Sequence, residues 1–67
     1  MVVVDARGLS CPEPLMLTER ALKENQGAIK VLVSEPHQRM NVEKLAKSKG
    51  KKATSTAVGS EFEIVIE

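Results

Sequence analysis

The side chain best suited to chemistry in this sequence is the thiol of Cys11, which stands in the run Ser10-Cys11-Pro12-Glu13-Pro14. It is the single cysteine of the chain, so no internal disulfide can form. For the same reason, the chain has no second thiol that could resolve a disulfide between Cys11 and another molecule. With one cysteine and one histidine, the sequence also lacks the roughly four ligands of a structural zinc site. The chemistry open to Cys11 is therefore that of a lone nucleophilic thiol.

The position of Cys11 predicts an activated thiol. Val2 to Val4 form a short β-branched run typical of a buried strand, and Pro12 and Pro14 suit the first turn of a helix, whose amides have no intrahelical partner. A cysteine where a strand's carboxyl end turns into a helix lies where open α/β sheets place their ligand sites. Because the amino end of a helix favours an anion, we expect the pKa of this thiol to lie below its usual value of about 8.5.

Two charged residues flank the thiol, and one methionine lies close to it in sequence. Arg7 is expected to favour the thiolate, whereas Glu13 opposes it but suits a helix start. At about 100° per residue, Met16 falls on the polar side of the helix, opposite the stripe that Thr18 and Ala21 share with Leu15 and Leu22. We expect Met16 to be exposed and, with Arg7, to contact a partner protein, although single exposed methionines are also ordinary.

The remaining elements follow from turn residues and hydrophobic pattern. The first helix is predicted from about Pro12 to about Asn25, and Ala28 to Val33 predicts a second strand. For the second helix, Asn41 is a candidate N-cap and Met40 can pack on Leu45 as a hydrophobic staple, so the helix is predicted from near Val42 to Gly50. The segment from Glu35 to Met40 is then an irregular loop that contains His37.

The end of the sequence predicts a β-hairpin. Lys51 to Val58 is a Thr-rich strand, Gly59-Ser60 a tight turn, and Glu61 to Glu67 a strand in which buried and wet positions alternate. The predicted fold class is α/β: a two-layer βαβαββ sandwich in which a mixed four-stranded sheet carries both helices on one face. At 67 residues, the chain is expected to form a single domain spanning residues 1–67.

Composition argues against several classes of protein. A net charge of +1 and a single aromatic residue, Phe62, do not favour nucleic-acid binding as the main function. The apolar run from Met1 to Val4 is too short for a signal peptide or a membrane span, and a free thiol persists in a reducing compartment. We therefore expect a cytoplasmic monomer with no membrane association. A cluster of lysines leaves an acidic partner or RNA open as an alternative to a merely solvated face. It comprises Lys44, Lys47, Lys49, Lys51 and Lys52.

From the residues alone, more than one function fits Cys11. A cysteine–histidine hydrolase dyad is weakly supported, because His37 is predicted in a loop on the far side of a strand and a helix. A non-catalytic interaction or regulatory domain, in which Cys11 to Pro14 is only a rigid helix start, also fits, as does a thiol redox sensor.

The segment Asp5 to Pro14, with its Gly-Leu-x-Cys-Pro-x-Pro pattern, resembles the signature of the TusA/SirA-like family of small sulfur carriers. The resemblance extends over the whole chain, since that family is a βαβαββ sandwich of about this length. Ser34-Glu35-Pro36 stands where the family commonly has an acidic pair and a proline, so Ser34 departs from the frequent acidic residue.

The resemblance implies that Cys11 accepts sulfane sulfur as a persulfide, with Pro12, Glu13 and Pro14 supporting the helix start. It implies a cysteine desulfurase or a rhodanese-like protein as donor and a second protein as acceptor, in tRNA thiolation, molybdenum-cofactor synthesis or other sulfur metabolism. No metal, flavin, pyridoxal or other cofactor is expected on this chain. Sulfur transfer is then expected as a relay in which partner proteins carry out the difficult steps.

Overall fold

Over the residues that the computed structural model describes, 2–10, 12–25 and 27–67, the chain forms four strands and two helices in the predicted order βαβαββ. The elements are β1 (Val2–Asp5), α1 (Glu13–Glu24), β2 (Ile29–Val33), α2 (Pro36–Ser48), β3 (Ala53–Val58) and β4 (Glu61–Ile66). The predicted bounds of α1 and of the last three strands agree with these to within two residues. The start of α2 does not.

The strands form one mixed sheet in the order β1-β2-β4-β3. β1 lies parallel to β2, whereas β4 runs antiparallel to both of its neighbours, with Val31 opposite Val4 on one side and Ile64 on the other. A parallel pair needs a crossover, which α1 supplies, and an antiparallel pair can be joined by a tight turn, which Gly59-Ser60 supplies. The predicted mixed sheet and terminal hairpin are both confirmed.

The core lies between one face of this sheet and the two helices. Alternate residues of β2 and β4 are buried, and α1 and α2 add small or β-branched side chains to the same cluster. Its members are Ala6, Ala21, Ile29, Val31, Val33, Val42, Ala46, Ile64 and Ile66. Because both helices contribute to one cluster and contact each other, they lie on the same face of the sheet, as predicted.

β1 differs from its prediction as a buried strand. It forms one edge of the sheet, and Val2 and Val3 are 39% and 56% exposed. A run of valines indicates a strand but not its position in the sheet, because burial depends on having a neighbour on each side. Only Val4 packs against the core cluster.

α2 begins at Pro36, so the prediction of an irregular segment from Glu35 to Met40 is wrong. Glu35 is the N-cap in an extended conformation, which a following proline favours, and Pro36 at the first helical position loses no hydrogen bond. Asn41 therefore lies inside the helix rather than at its cap. Met40 is 49% exposed rather than packed on Leu45 as a staple.

The buried side of α2 explains why its first turn is hard to predict. Gln38, Val42 and Ala46 are the buried residues, at the spacing of one helical face, and a polar residue takes the first of these positions. The predicted end is confirmed: Gly50 has φ +72°, and the Gly50 and Lys51 N–H groups donate to Lys47 O and Ala46 O at 3.0 and 2.9 Å. This pair of bonds is a Schellman motif.

The predicted faces of α1 are confirmed. Thr18 and Ala21 are buried, Leu15 and Leu22 are partly buried, and Met16 is 65% exposed.

α1 and α2 have 12 and 13 residues, and no helix in the described part of the chain is long and apolar enough to cross a membrane.

Candidate functional site at the carboxyl edge of the sheet

The candidate site is the edge at which β1 and β2 end, called here the carboxyl edge. Because β1 and β2 are parallel, the β1–α1 loop and the β2–α2 junction both leave the sheet there. Each helix then runs back toward the opposite edge before the next strand begins, so α1 and α2 both start at the carboxyl edge. The positive ends of two helix dipoles thus point toward one region, which favours an anion.

The predicted acceptor, Cys11, lies outside the described residues, but the residues on both sides of it are described. Pro12 is the N-cap of α1, Glu13 is its first residue and is exposed, and Pro14 is buried. The Glu13 N–H donates to Ser10 O at 2.9 Å, and the Met16 N–H donates to Pro12 O at 3.1 Å. The backbone on either side of position 11 is therefore held by the first turn of the helix, as the two prolines predict.

Arg7 belongs to an ion-pair network at this edge. Its Nε and Nη2 donate to the two carboxylate oxygens of Asp5, each at 2.9 Å, and its Nη1 donates to Glu61 Oε1 at 3.3 Å. Hydrogen bonds from Arg7 lower the pKa of Asp5 to about 2, and the bonds to Asp5 and Glu61 raise the pKa of Arg7. Since two carboxylates balance this cation, Arg7 adds little net positive charge beside position 11, contrary to its expected role in favouring the thiolate, and it ties the β1–α1 loop to β4.

The β2–α2 junction holds the same loop through two further hydrogen bonds. The Gly8 N–H donates to Ser34 Oγ at 2.9 Å, and Gln38 Nε2 donates to Leu9 O at 2.6 Å. Gln38 is only 3% exposed. The sequence pattern marks Ser34 only as a departure from the family signature and predicts a loop at Gln38, so it predicts neither of these contacts. A glutamine two residues after a proline at a helix start is the one local signal that would have pointed to the Gln38 contact.

Two exposed methionines lie near this edge. Met16 and Met40 stand within the first five residues of α1 and α2, respectively, and both are largely exposed. His37 is also exposed, and it occupies the first turn of α2 rather than the distant loop predicted for it. The side chains around the edge thus offer a contact surface that combines flexible apolar groups with polar ones.

The lysine cluster lies away from the carboxyl edge. Its members occupy the second half of α2 and the segment that leads into β3, which begins at the opposite edge of the sheet. The tertiary structure therefore separates this basic surface from the loop that contains Cys11.

The fold and the helix start together define a class: a βαβαββ sandwich with a Cys-Pro-x-Pro segment at the beginning of its first helix. The family described as "Sulfurtransferase TusA" matches residues 2–67, and the chain belongs to this family. It is also similar to a crystal structure of a SirA-like protein from Desulfitobacterium hafniense, with a TM-score of 0.92 and 30% sequence identity over 98% of this chain and 95% of that one. No curated protein matches the chain significantly.

Proposed function

We propose that this protein is a sulfur carrier that accepts sulfane sulfur as a persulfide on Cys11 and passes it to an acceptor protein. The observation that carries the proposal is the Cys-Pro-Glu-Pro segment at the start of α1 in a chain of the sulfurtransferase family. Pro12, Glu13 and Pro14 serve this role by fixing the first turn of the helix, and Arg7 and Met16 belong to the surface that contacts partners.

Loading requires one nucleophilic displacement. The Cys11 thiolate attacks the terminal sulfur of a persulfide on the donor protein, a new S–S bond forms, and the donor cysteine leaves as a thiolate. The sulfane sulfur keeps its oxidation state, so the step consumes no oxidant or reductant. The new persulfide then loses its proton to solvent, because a persulfide is more acidic than a thiol.

The electrostatics of the carboxyl edge support both the attacking group and the product. Thiolate and persulfide are anions, and α1 and α2 both direct their amino ends toward this edge. A thiol pKa below about 8.5 would increase the fraction of thiolate near neutral pH. This field lets the chain hold an activated sulfur without a general base of its own.

The donor in this proposal is a cysteine desulfurase or a rhodanese-like protein, and the acceptor is a protein of tRNA thiolation or another thiolation pathway. The chain would act in the cytoplasm as a monomer, without binding nucleic acid directly. Met16 supports protein contact, because it is exposed and stands three residues after the start of α1.

The test is to incubate the purified protein with a cysteine desulfurase and cysteine and to follow its intact mass. We expect the gain of one sulfur atom, removed by a reducing agent, and no gain in Cys11→Ser. A wild-type protein that gains no sulfur from the desulfurase, nor from a rhodanese-like donor tested in the same way, would favour the interaction domain. Oxygen addition or disulfide-linked dimers that form faster than the sulfur adduct would favour the redox sensor.

A further inference from the structure

The side chain of Gln38 combines deep burial with a bond to a distant part of the chain. It is 3% exposed, stands at the third position of α2, and donates from Nε2 to Leu9 O, 29 residues away in sequence. A glutamine at this helix position can instead bond back to the N-cap of its own helix. Here the carboxamide spans from the second helix to the loop that precedes Cys11.

Gln38 acts on the same peptide segment as Ser34. Ser34 Oγ accepts from the N–H of Gly8, and Gln38 donates to the C=O of the next residue, Leu9. One acceptor and one donor from the β2–α2 junction therefore orient the backbone N–H of Gly8 and the backbone C=O of Leu9. The segment ends two residues before Cys11, and Ser10 O is held in turn by the first turn of α1.

Hydrogen bonds within the described residues satisfy only one end of the buried Gln38 carboxamide. Its Oε1 is buried and has no hydrogen-bond partner within the described residues. A buried, unpaired carbonyl oxygen costs free energy, whereas an unbranched apolar side chain of similar size would fill the same space without that cost. The contact that an apolar side chain could not supply at this position is the bond from Nε2 to Leu9 O, which acts on the loop before Cys11.

We propose that Gln38 and Ser34 are positioning residues, which hold the β1–α1 loop so that Cys11 meets the sulfur of the donor in a productive orientation. This inference rests on the proposed function. Neither residue needs to contact the sulfur. Misplacing a reacting atom by about 1 Å can slow a reaction by up to about a hundredfold, so two hydrogen bonds on this loop can affect the rate strongly.

The test compares Gln38→Met and Ser34→Ala with two controls. Asn25→Leu removes a side-chain amide that donates to a backbone carbonyl, Ala21 O at 3.0 Å, at the far end of α1. Ser34→Thr retains the hydroxyl. The readouts are the melting temperature, the rate of Cys11 alkylation against pH, and the rate of sulfur loading from a desulfurase.

We expect the melting temperature of Gln38→Met to be no lower than that of Asn25→Leu. Its sulfur loading should nevertheless be about tenfold slower than that of the wild type, and the pH midpoint of Cys11 alkylation should move toward about 8.5. Ser34→Ala should shift both readouts in the same direction, and Ser34→Thr should restore the rate. The inference is overturned if both Gln38→Met and Ser34→Ala load sulfur at the wild-type rate and show the wild-type pH profile of alkylation. It is also overturned if Gln38→Met does not fold. If the wild type takes up no sulfur at all, the proposed function fails, while the alkylation profiles still test the positioning role.

Discussion

Gly8 and Gly50 form a matched pair that tests whether the conformation of the β1–α1 loop matters for function. Their φ angles are +78° and +72°, and a Cβ atom added at either would meet no atom within 4 Å apart from those of the adjacent residues in the chain. Gly8 lies three residues before Cys11, whereas Gly50 lies at the opposite edge of the sheet. An alanine at either position therefore introduces the same backbone penalty without a steric clash.

The size of the penalty follows from the backbone alone. A left-handed conformation costs an L-residue about 1–2 kcal/mol, and alanine recovers about 0.4–1 kcal/mol by restricting the unfolded chain. We expect each substitution to lower the free energy of unfolding by about 1 kcal/mol, which lowers the melting temperature of a domain this small by about 4–8 °C. Gly8→Ala should in addition slow sulfur loading, because it strains the residue whose N–H donates to Ser34 Oγ.

The assay measures thermal unfolding and the initial rate of sulfur loading by intact mass for the wild type, Gly8→Ala and Gly50→Ala. Equal losses of stability with slower loading only in Gly8→Ala are expected. Equal loading rates in the two variants would show that the loop conformation does not control Cys11. Unchanged stability in Gly8→Ala would show that this residue does not adopt the left-handed conformation in solution.

Three further changes test other parts of the structure. Asn41→Ala should leave the free energy of unfolding, measured by chemical denaturation, unchanged or raise it by up to about 0.7 kcal/mol, since Asn41 is a helix-interior residue. A loss of about 1 kcal/mol would instead indicate that Asn41 is the N-cap of the helix. Met16→Lys should change stability by less than about 0.5 kcal/mol but slow transfer from a desulfurase, and normal transfer would remove Met16 from the contact surface. Because the pKa of Asp5 is lowered from 3.8 to about 2, its pairing with Arg7 should stabilise the fold fully above about pH 4, and this contribution should be lost as the pH falls through 2. In Arg7→Met, the melting temperature should lack this part of the acid dependence. The same pH dependence of the melting temperature in the wild type and in Arg7→Met would contradict the prediction.

Much of the fold and the chemistry can be predicted from the sequence, because the relevant signals are local. Alternation from Phe62 to Ile66 predicts a strand with one buried face, and Gly59-Ser60 and Gly50 mark chain reversals whose geometry depends on a few neighbouring residues. Pro12 and Pro14 likewise predict the start of α1. The nature of the candidate site, a lone thiol before a helix, follows from the same short segment.

The tertiary structure decides which distant residues meet. The edge position of β1 follows from the strand order, and the start of α2 depends on burial of Gln38 beneath a loop 29 residues away. The partner of Arg7 on β4 is 54 residues away, and the convergence of two helix amino ends follows from the direction of every strand. Such contacts have no local pattern, since a polar residue such as Gln38 is buried only when the fold brings a backbone group within its reach.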